Sequence, residues 1–247
     1  MRIERSPETM SDTKELTRIL IVDDDKSIAE AIAFYLRSEG YEPVIAFDGI
    51  EALNAMRSSD ISLIIMDIMM PRLDGIQATM KIREEHNIPI IMLSAKSEDY
   101  DKIMGLNIGA DDYVTKPFNP LELIARVRSQ LRRYNLLGSA PGIATDKVLR
   151  SGGLVINDDL KTVTVDGEEV SLTPTEYGIL KLLTENAGRV YSIEQIYEAV
   201  WNEEAYNPEN TVAVHIRRIR EKIEIDPKNP RYLKVVWGVG YKVEKLK

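Results

Sequence analysis

Three consecutive aspartates, Asp23, Asp24 and Asp25, follow the apolar run Ile19–Val22, and Asp67 ends a second run, Leu63–Met66. Ser94 ends a third, Ile90–Leu93, and Lys116 follows a fourth, Tyr113–Val114. If these runs are neighbouring parallel strands, their carboxyl ends gather carboxylates, a hydroxyl and an ammonium at one edge. Carboxylates packed that closely repel, and a hard divalent cation with oxygen ligands, Mg2+ above all, relieves the repulsion. A cation and an ammonium are also the groups that neutralise a phosphoryl group arriving on a carboxylate. The chemistry suggested is phosphoryl capture on an aspartate. A phosphohydrolase built on a strand-end aspartate would need a second aspartate two residues on as general acid and base. That position is Met69, which transfers no protons, so the expectation is a switch and not an enzyme.

The surrounding pattern supplies the elements that must position these groups. Apolar runs at Ile19–Val22, Val44–Ala46, Leu63–Met66, Ile90–Leu93 and Tyr113–Val114 alternate with amphipathic stretches. These are Ser27–Ser38, Gly49–Arg57, Gly75–Glu85, Asp99–Ile108 and Pro120–Arg133. Strands alternating with helices predict an α/β unit with a doubly wound five-stranded parallel sheet, since parallel neighbours need a crossover helix. In such sheets functional groups collect at the carboxyl ends of the strands. This unit is placed at residues 16–134, after an N-terminal extension at 1–15. Residues 135–152 contain turn formers and no sustained periodicity, and read as a linker.

From 153 to 247 the pattern becomes α+β. Short β segments at Gly153–Ile156, Thr162–Val165 and Val170–Leu172 precede helical stretches at Thr175–Asn186, Ile193–Trp201 and Thr211–Ile225. A strand–turn–strand signal, Leu233–Val236 and Tyr241–Val243, closes the chain. A helix–turn–helix followed by a terminal hairpin is a winged-helix layout.

The absence of cysteine excludes disulfides and thiolate metal sites, and no apolar stretch reaches the ~18 residues of a membrane span. No membrane partner is expected, and the chain reads as cytoplasmic. The acidic total, a net charge of −8, hides a polarised C-terminal half. Residues 217–247 carry ten Lys and Arg against four acids, while 151–216 carry three against twelve. Positive charge gathered at one end is compatible with a nucleic-acid surface. Within 210–225, Val212, Ile216, Ile219 and Ile223 form one apolar stripe, and His215, Arg218 and Lys222 share another beside Ala213, Arg217 and Arg220. A helix that buries one face and shows basic charge on another can enter a major groove. His215 itself reads as a structural histidine rather than a base contact.

In order, Ile-Leu-Ile-Val-Asp-Asp-Asp, Met-Asp-Ile-Met-Met-Pro, Met-Leu-Ser-Ala-Lys and Gly-Ala-Asp-Asp-Tyr-Val-Thr-Lys-Pro-Phe resemble the flavodoxin-like receiver domain of response regulators. The C-terminal half resembles the winged-helix output domain of the OmpR/PhoB family, and the stretches Leu-Ile-Ala-Arg-Val-Arg and Val-Trp-Gly-Val-Gly-Tyr resemble its vancomycin-resistance branch. The resemblance implies a phosphorylation-dependent DNA-binding transcriptional regulator of a two-component system. Its phosphoacceptor would be Asp67. Mg2+ would be held by Asp24 directly, by Asp23 through water, by Asp67 and by the Met69 carbonyl. Ser94 and Lys116 would contact the phosphoryl oxygens, with Ser94 and Tyr113 as the switch pair. Implied partners are a sensor histidine kinase, promoter double-stranded DNA, RNA polymerase through the loop 201–209, and a second copy of the chain. The receiver homodimer would use Lys102, Asp111, Asp112, Glu122, Arg126 and Arg133, pairing Lys102 with Glu122, Asp112 with Arg126, and Asp111 with Arg133 or Arg128. DNA contacts would fall to Ala213, Val214, Arg217, Arg218 and Lys222. Many family members carry an arginine in the wing where this chain has Trp237, which is expected to pack on the hairpin or lie along the DNA backbone.

Overall fold

The computed structural model describes residues 17–95, 109–138, 148–202 and 208–246. Five strands, β1 (Arg18–Val22), β2 (Glu42–Ala46), β3 (Leu63–Asp67), β4 (Ile90–Ala95) and β5 (Asp112–Lys116), form one sheet in the order β2-β1-β3-β4-β5. All neighbours are parallel. Side-chain alternation divides the two faces. Leu20, Val22, Ile64, Met66, Ile90 and Met92 pack into one core, and Ile19, Ile21, Leu63, Ile65, Ile91 and Leu93 into the other. Strands buried on both faces must be apolar at every position, which is why β1 and β3 read as unbroken runs.

Helices α1 (Lys26–Ser38), α2 (Gly49–Ser58), α3 (Gly75–Glu85) and α4 (Pro120–Gly138) cover the faces. Aspartates start the first three: Asp25, Asp48 and Asp74 each accept backbone N–H bonds from the opening turn. Such caps satisfy donors that have no partner inside the helix. The strand order changes direction between β1 and β3, and their register sets Val22 opposite Met66, so Asp23 and Asp67 emerge side by side. The helical stretch expected at Asp99–Ile108 and the residue Lys102 lie outside the described residues.

In the C-terminal half β6 (Val148–Ser151), β7 (Leu154–Asn157), β8 (Thr162–Val165) and β9 (Glu168–Glu169) make an antiparallel sheet. Helices α5 (Pro174–Glu185), α6 (Ile193–Trp201) and α7 (Pro208–Ile223) follow, then the hairpin β10 (Leu233–Val236) and β11 (Gly240–Val243). Three sequence expectations are corrected. Helix α4 continues to Gly138, and Val148–Ser151 is a strand, so part of the supposed linker is regular structure. The strand expected at Val170–Leu172 is instead Glu168–Glu169. The reason is the turn: Asp166 and Gly167 both have positive φ, 50° and 93°, as in a two-residue hairpin loop, which forces Glu168 opposite Val165.

Capping boxes, Thr173 with Glu176 and Ser192 with Gln195, open α5 and α6. The apolar stripe of α7 meets its core as expected: Val212, Ile216, Ile219 and Ile223 are buried with Trp201, Leu180 and Leu233. Tyr191 and Tyr241 exchange backbone N–H···O bonds of 2.9 Å, fixing the hairpin to the helical layer. Among the described residues no helix is long and apolar enough to cross a membrane.

Candidate functional site

The carboxylates of Asp23, Asp24 and Asp67 converge at the carboxyl edge of the sheet, offering oxygens that all lie within 4.8 Å of one another. The three adjacent aspartates have separate jobs. Asp23 is fully buried and accepts from the Asp25 N–H at 3.0 Å, Asp24 is exposed, and Asp25 caps α1. Lys116, at the end of β5, reaches across to Asp23 Oδ2 at 2.7 Å and Asp67 Oδ1 at 2.9 Å. Ser94 lies one residue past Leu93, the partner of Asp67 across β3 and β4, and its buried Oγ has no hydrogen-bond partner. The loop after Asp67 returns tightly. A Cβ on Gly75 would lie 1.9 Å from the Asp67 carbonyl oxygen, so only glycine lets α3 start there.

Electrostatics in this nest oppose each other. Burial raises the Asp67 pKa, and Asp23 and Asp24 push the same way, while Lys116 pulls it down without winning. Burial alone would lower the Lys116 pKa, but its bonds to Asp23 and Asp67 outweigh this and raise it. A carboxylate with raised basicity beside a locked ammonium and an unpaired hydroxyl suits the receipt of an anion. Tyr113 is half-buried against the core on one face of the sheet, three residues before Lys116 on the same strand. Met69 is 70% exposed.

Within one chain, the expected dimer residues that the structure describes have intrachain partners. Arg126 binds Asp112 with contacts of 3.0 and 3.1 Å and Glu122 at 3.0 Å, all within one chain. The Asp111 carboxylate is buried and held within the chain by Arg83 at 2.7 Å and the Ile90 N–H at 3.0 Å. Arg128 pairs with Glu39. Arg133 donates to Ser129 Oγ and to the Val200 carbonyl at 3.1 Å, and lies over the Trp201 ring.

Those last contacts join the two halves of the chain, and α7 joins them more closely. His215 Nε2 meets the Asp111 carbonyl at 3.2 Å, Arg218 Nη1 donates to the Ala110 carbonyl at 2.9 Å, and Val214 joins the apolar cluster of the N-terminal half that includes Ala110. His215 is indeed structural, but what it touches is the N-terminal half. Of the residues expected at DNA, Val214 and Arg218 are buried and Ala213 half-buried. Arg217 is exposed and paired with Glu221, and Lys222 holds Glu176 at 2.7 Å. Sequence periodicity could not foresee this, because it shows which residues share a stripe and not what covers it. Nor could it foresee Glu176, which is fully buried and binds Arg218, Lys222 and the Thr173 N–H. Trp237 does not pack on the hairpin: it is 88% exposed at the wing tip.

Two family models match the chain: response regulator receiver domain over residues 19–128 and transcriptional regulatory protein, C terminal, over residues 167–243. Fold and site together therefore define a response regulator with a DNA-binding output domain. Regulatory protein VanR of Enterococcus faecium is 47% identical over 229 residues, 92% of this chain and 99% of that protein. DrrB, described as a Thermotoga maritima OmpR/PhoB homolog, is 34% identical, covering 93% of this chain and 99% of its own, with a TM-score of 0.49. A mutant form of RitR is 26% identical over 93% of this chain and 99% of its own, with a TM-score of 0.71. The chain belongs to the OmpR/PhoB family of two-component response regulators.

Proposed function

We propose that a sensor histidine kinase passes a phosphoryl group to Asp67, and that this converts the closed chain into a receiver homodimer that binds promoter DNA. The observation that carries the reading is the convergence of Asp23, Asp24 and Asp67 with Lys116 at one sheet edge. The buried, unpartnered Ser94 hydroxyl beside it supports the same chemistry.

The donor set fits Mg2+, being clustered carboxylate oxygens with no nitrogen or sulfur. Asp23, Asp24, Asp67 and the Met69 carbonyl would hold it, and when bound it would supply positive charge against the phosphoryl oxygens. Lys116, freed from Asp67, pairs with one such oxygen, and Ser94 donates to another. Tyr113 turns into the space that Ser94 vacates, which biases the surface around β5 between two states.

That surface carries the latch on α7, so the two events are linked. While His215 and Arg218 bind the carbonyls of Asp111 and Ala110, α7 cannot lie in a groove. Likewise Arg133 cannot serve a second copy while it holds the Val200 carbonyl. Released chains pair through Lys102, Glu122, Asp112, Arg126 and Arg133 about a two-fold axis. Ala213, Val214, Arg217, Arg218 and Lys222 then face DNA, on half-sites about 10–10.5 bp apart. The acidic stretch 201–209, whose ends belong to α6 and α7 and whose residues 203–207 lie outside the described residues, is the proposed contact with RNA polymerase.

The test is the affinity for duplexes selected from a random pool, measured with and without a small-molecule phosphodonor. Treatment should tighten binding at least ~10-fold, and affinity should fall steeply with salt, by about 0.9 log units per log unit of salt for each phosphate contact. The Asp67→Asn variant should gain nothing from the donor. An untreated wild type that binds as tightly as the treated protein would overturn the proposal.

A further inference from the structure

We infer that His215 is a proton-sensitive pin in the seam between the two domains, and that protonating it releases α7 from the receiver without any phosphoryl group. The side chain is fully buried, its Nε2 is committed to the Asp111 carbonyl, and its Nδ1 has no partner. A second proton on this ring would bring an N–H with no acceptor and a charge with no solvent.

The neighbours do not offset that charge. From its own helix Arg218 approaches, one turn on, and adds positive potential. From the segment before β5 comes Asp111, whose carboxylate is already bound by Arg83 of α3. From α5 comes Glu176, already bound by Arg218 and Lys222. From α6 comes the Trp201 ring at 5.6 Å, uncharged and itself covered by Arg133 of α4. Both carboxylates that act on the ring are thus already in ion pairs with other cations, although Asp111 Oδ1 accepts no hydrogen bond. Burial, with Arg218 second, lowers the His215 pKa to about 4.

When α7 leaves the receiver the ring meets water and returns toward its ordinary value of about 6.5. A depressed basic group favours the closed form fully above about pH 6.5, and this contribution is lost as pH falls from there toward 4. Between about pH 7.5 and about pH 5.5 the opening equilibrium should therefore rise about tenfold from this one site. Despite its burial, Glu176 is held below its ordinary 4.5 by Arg218 and Lys222 and stays charged across that window.

The chain contains no cysteine, so a single one reports cleanly. Val214→Cys places a thiol where α7 meets the receiver core, to be reacted with a dipyridyl disulfide at each pH and referred to an unprotected cysteine peptide. The relative rate should rise about tenfold on acidification from about pH 7.5 to about pH 5.5. In Val214→Cys with His215→Gln, whose amide can still donate to the Asp111 carbonyl, it should stay flat. Ala33→Cys, buried inside the receiver, should stay flat and separates opening from unfolding. An equal rise in the His215→Gln variant, or no rise with His215 present, would overturn the inference.

Discussion

Replacing Glu176 with alanine should cost about 3–5 kcal/mol of stability, the range for breaking a buried ion pair on one side only. Glu176 is fully buried, and it neutralises Arg218 and Lys222 and accepts the Thr173 N–H at 2.9 Å. Its loss strands the guanidinium of Arg218, which is 7% exposed, and removes one arm of the α5 capping box. Burial alone would raise the Glu176 pKa, but Arg218, Lys222 and its hydrogen bonds bring it below the ordinary 4.5. Its charge-dependent contribution is therefore complete above about pH 4.5 and disappears as pH falls through the depressed native value. Urea unfolding at neutral pH should show the full deficit, and the gap to wild type should narrow in acid. A deficit under about 1 kcal/mol at pH 7, the scale of an exposed pair, would mean that Glu176 does not organise this cluster.

The second large effect is expected at Lys116. Lys116→Met removes the only ammonium that bridges Asp23 and Asp67 among the described residues, leaving a buried carboxylate opposite a second one. The cost should be about 2 kcal/mol, below the ~3–5 typical of fully buried pairs, because Lys116 is itself 21% exposed. Added Mg2+ should recover part of that loss, since a divalent cation is the other way to relieve carboxylate repulsion. Thermal denaturation with and without Mg2+ reads this directly. Equal Mg2+ stabilisation of the variant and the wild type would contradict the proposed repulsion. The variant should also lose the response of DNA affinity to a phosphodonor.

Much of the site was legible because it sits where strands end. The runs Ile19–Val22 and Leu63–Met66 are apolar at every position because both faces of the sheet are covered, and the first polar residue after each run marks the edge. Asp23, Asp67 and Lys116 therefore announced their meeting. The cap role of Asp25 was hidden in a run of identical residues. The β6 strand, Val-Leu-Arg-Ser, was lost because so short a segment beside glycines has no readable period. The contact of α7 with the receiver was invisible for a deeper reason. His215 and Arg218 bind backbone carbonyls, and a carbonyl carries no signature of the residue that owns it. Basic residues on a helix look alike in sequence whether they face phosphates, carbonyls or a buried glutamate.

The most direct test is to map the acyl phosphate formed when the purified chain meets a small phosphodonor and Mg2+. Trapping the acyl phosphate, followed by peptide mass spectrometry, should place the modification at Asp67 alone. Modification of another carboxylate, or undiminished modification of the Asp67→Asn chain, would contradict the assignment on which the switch depends.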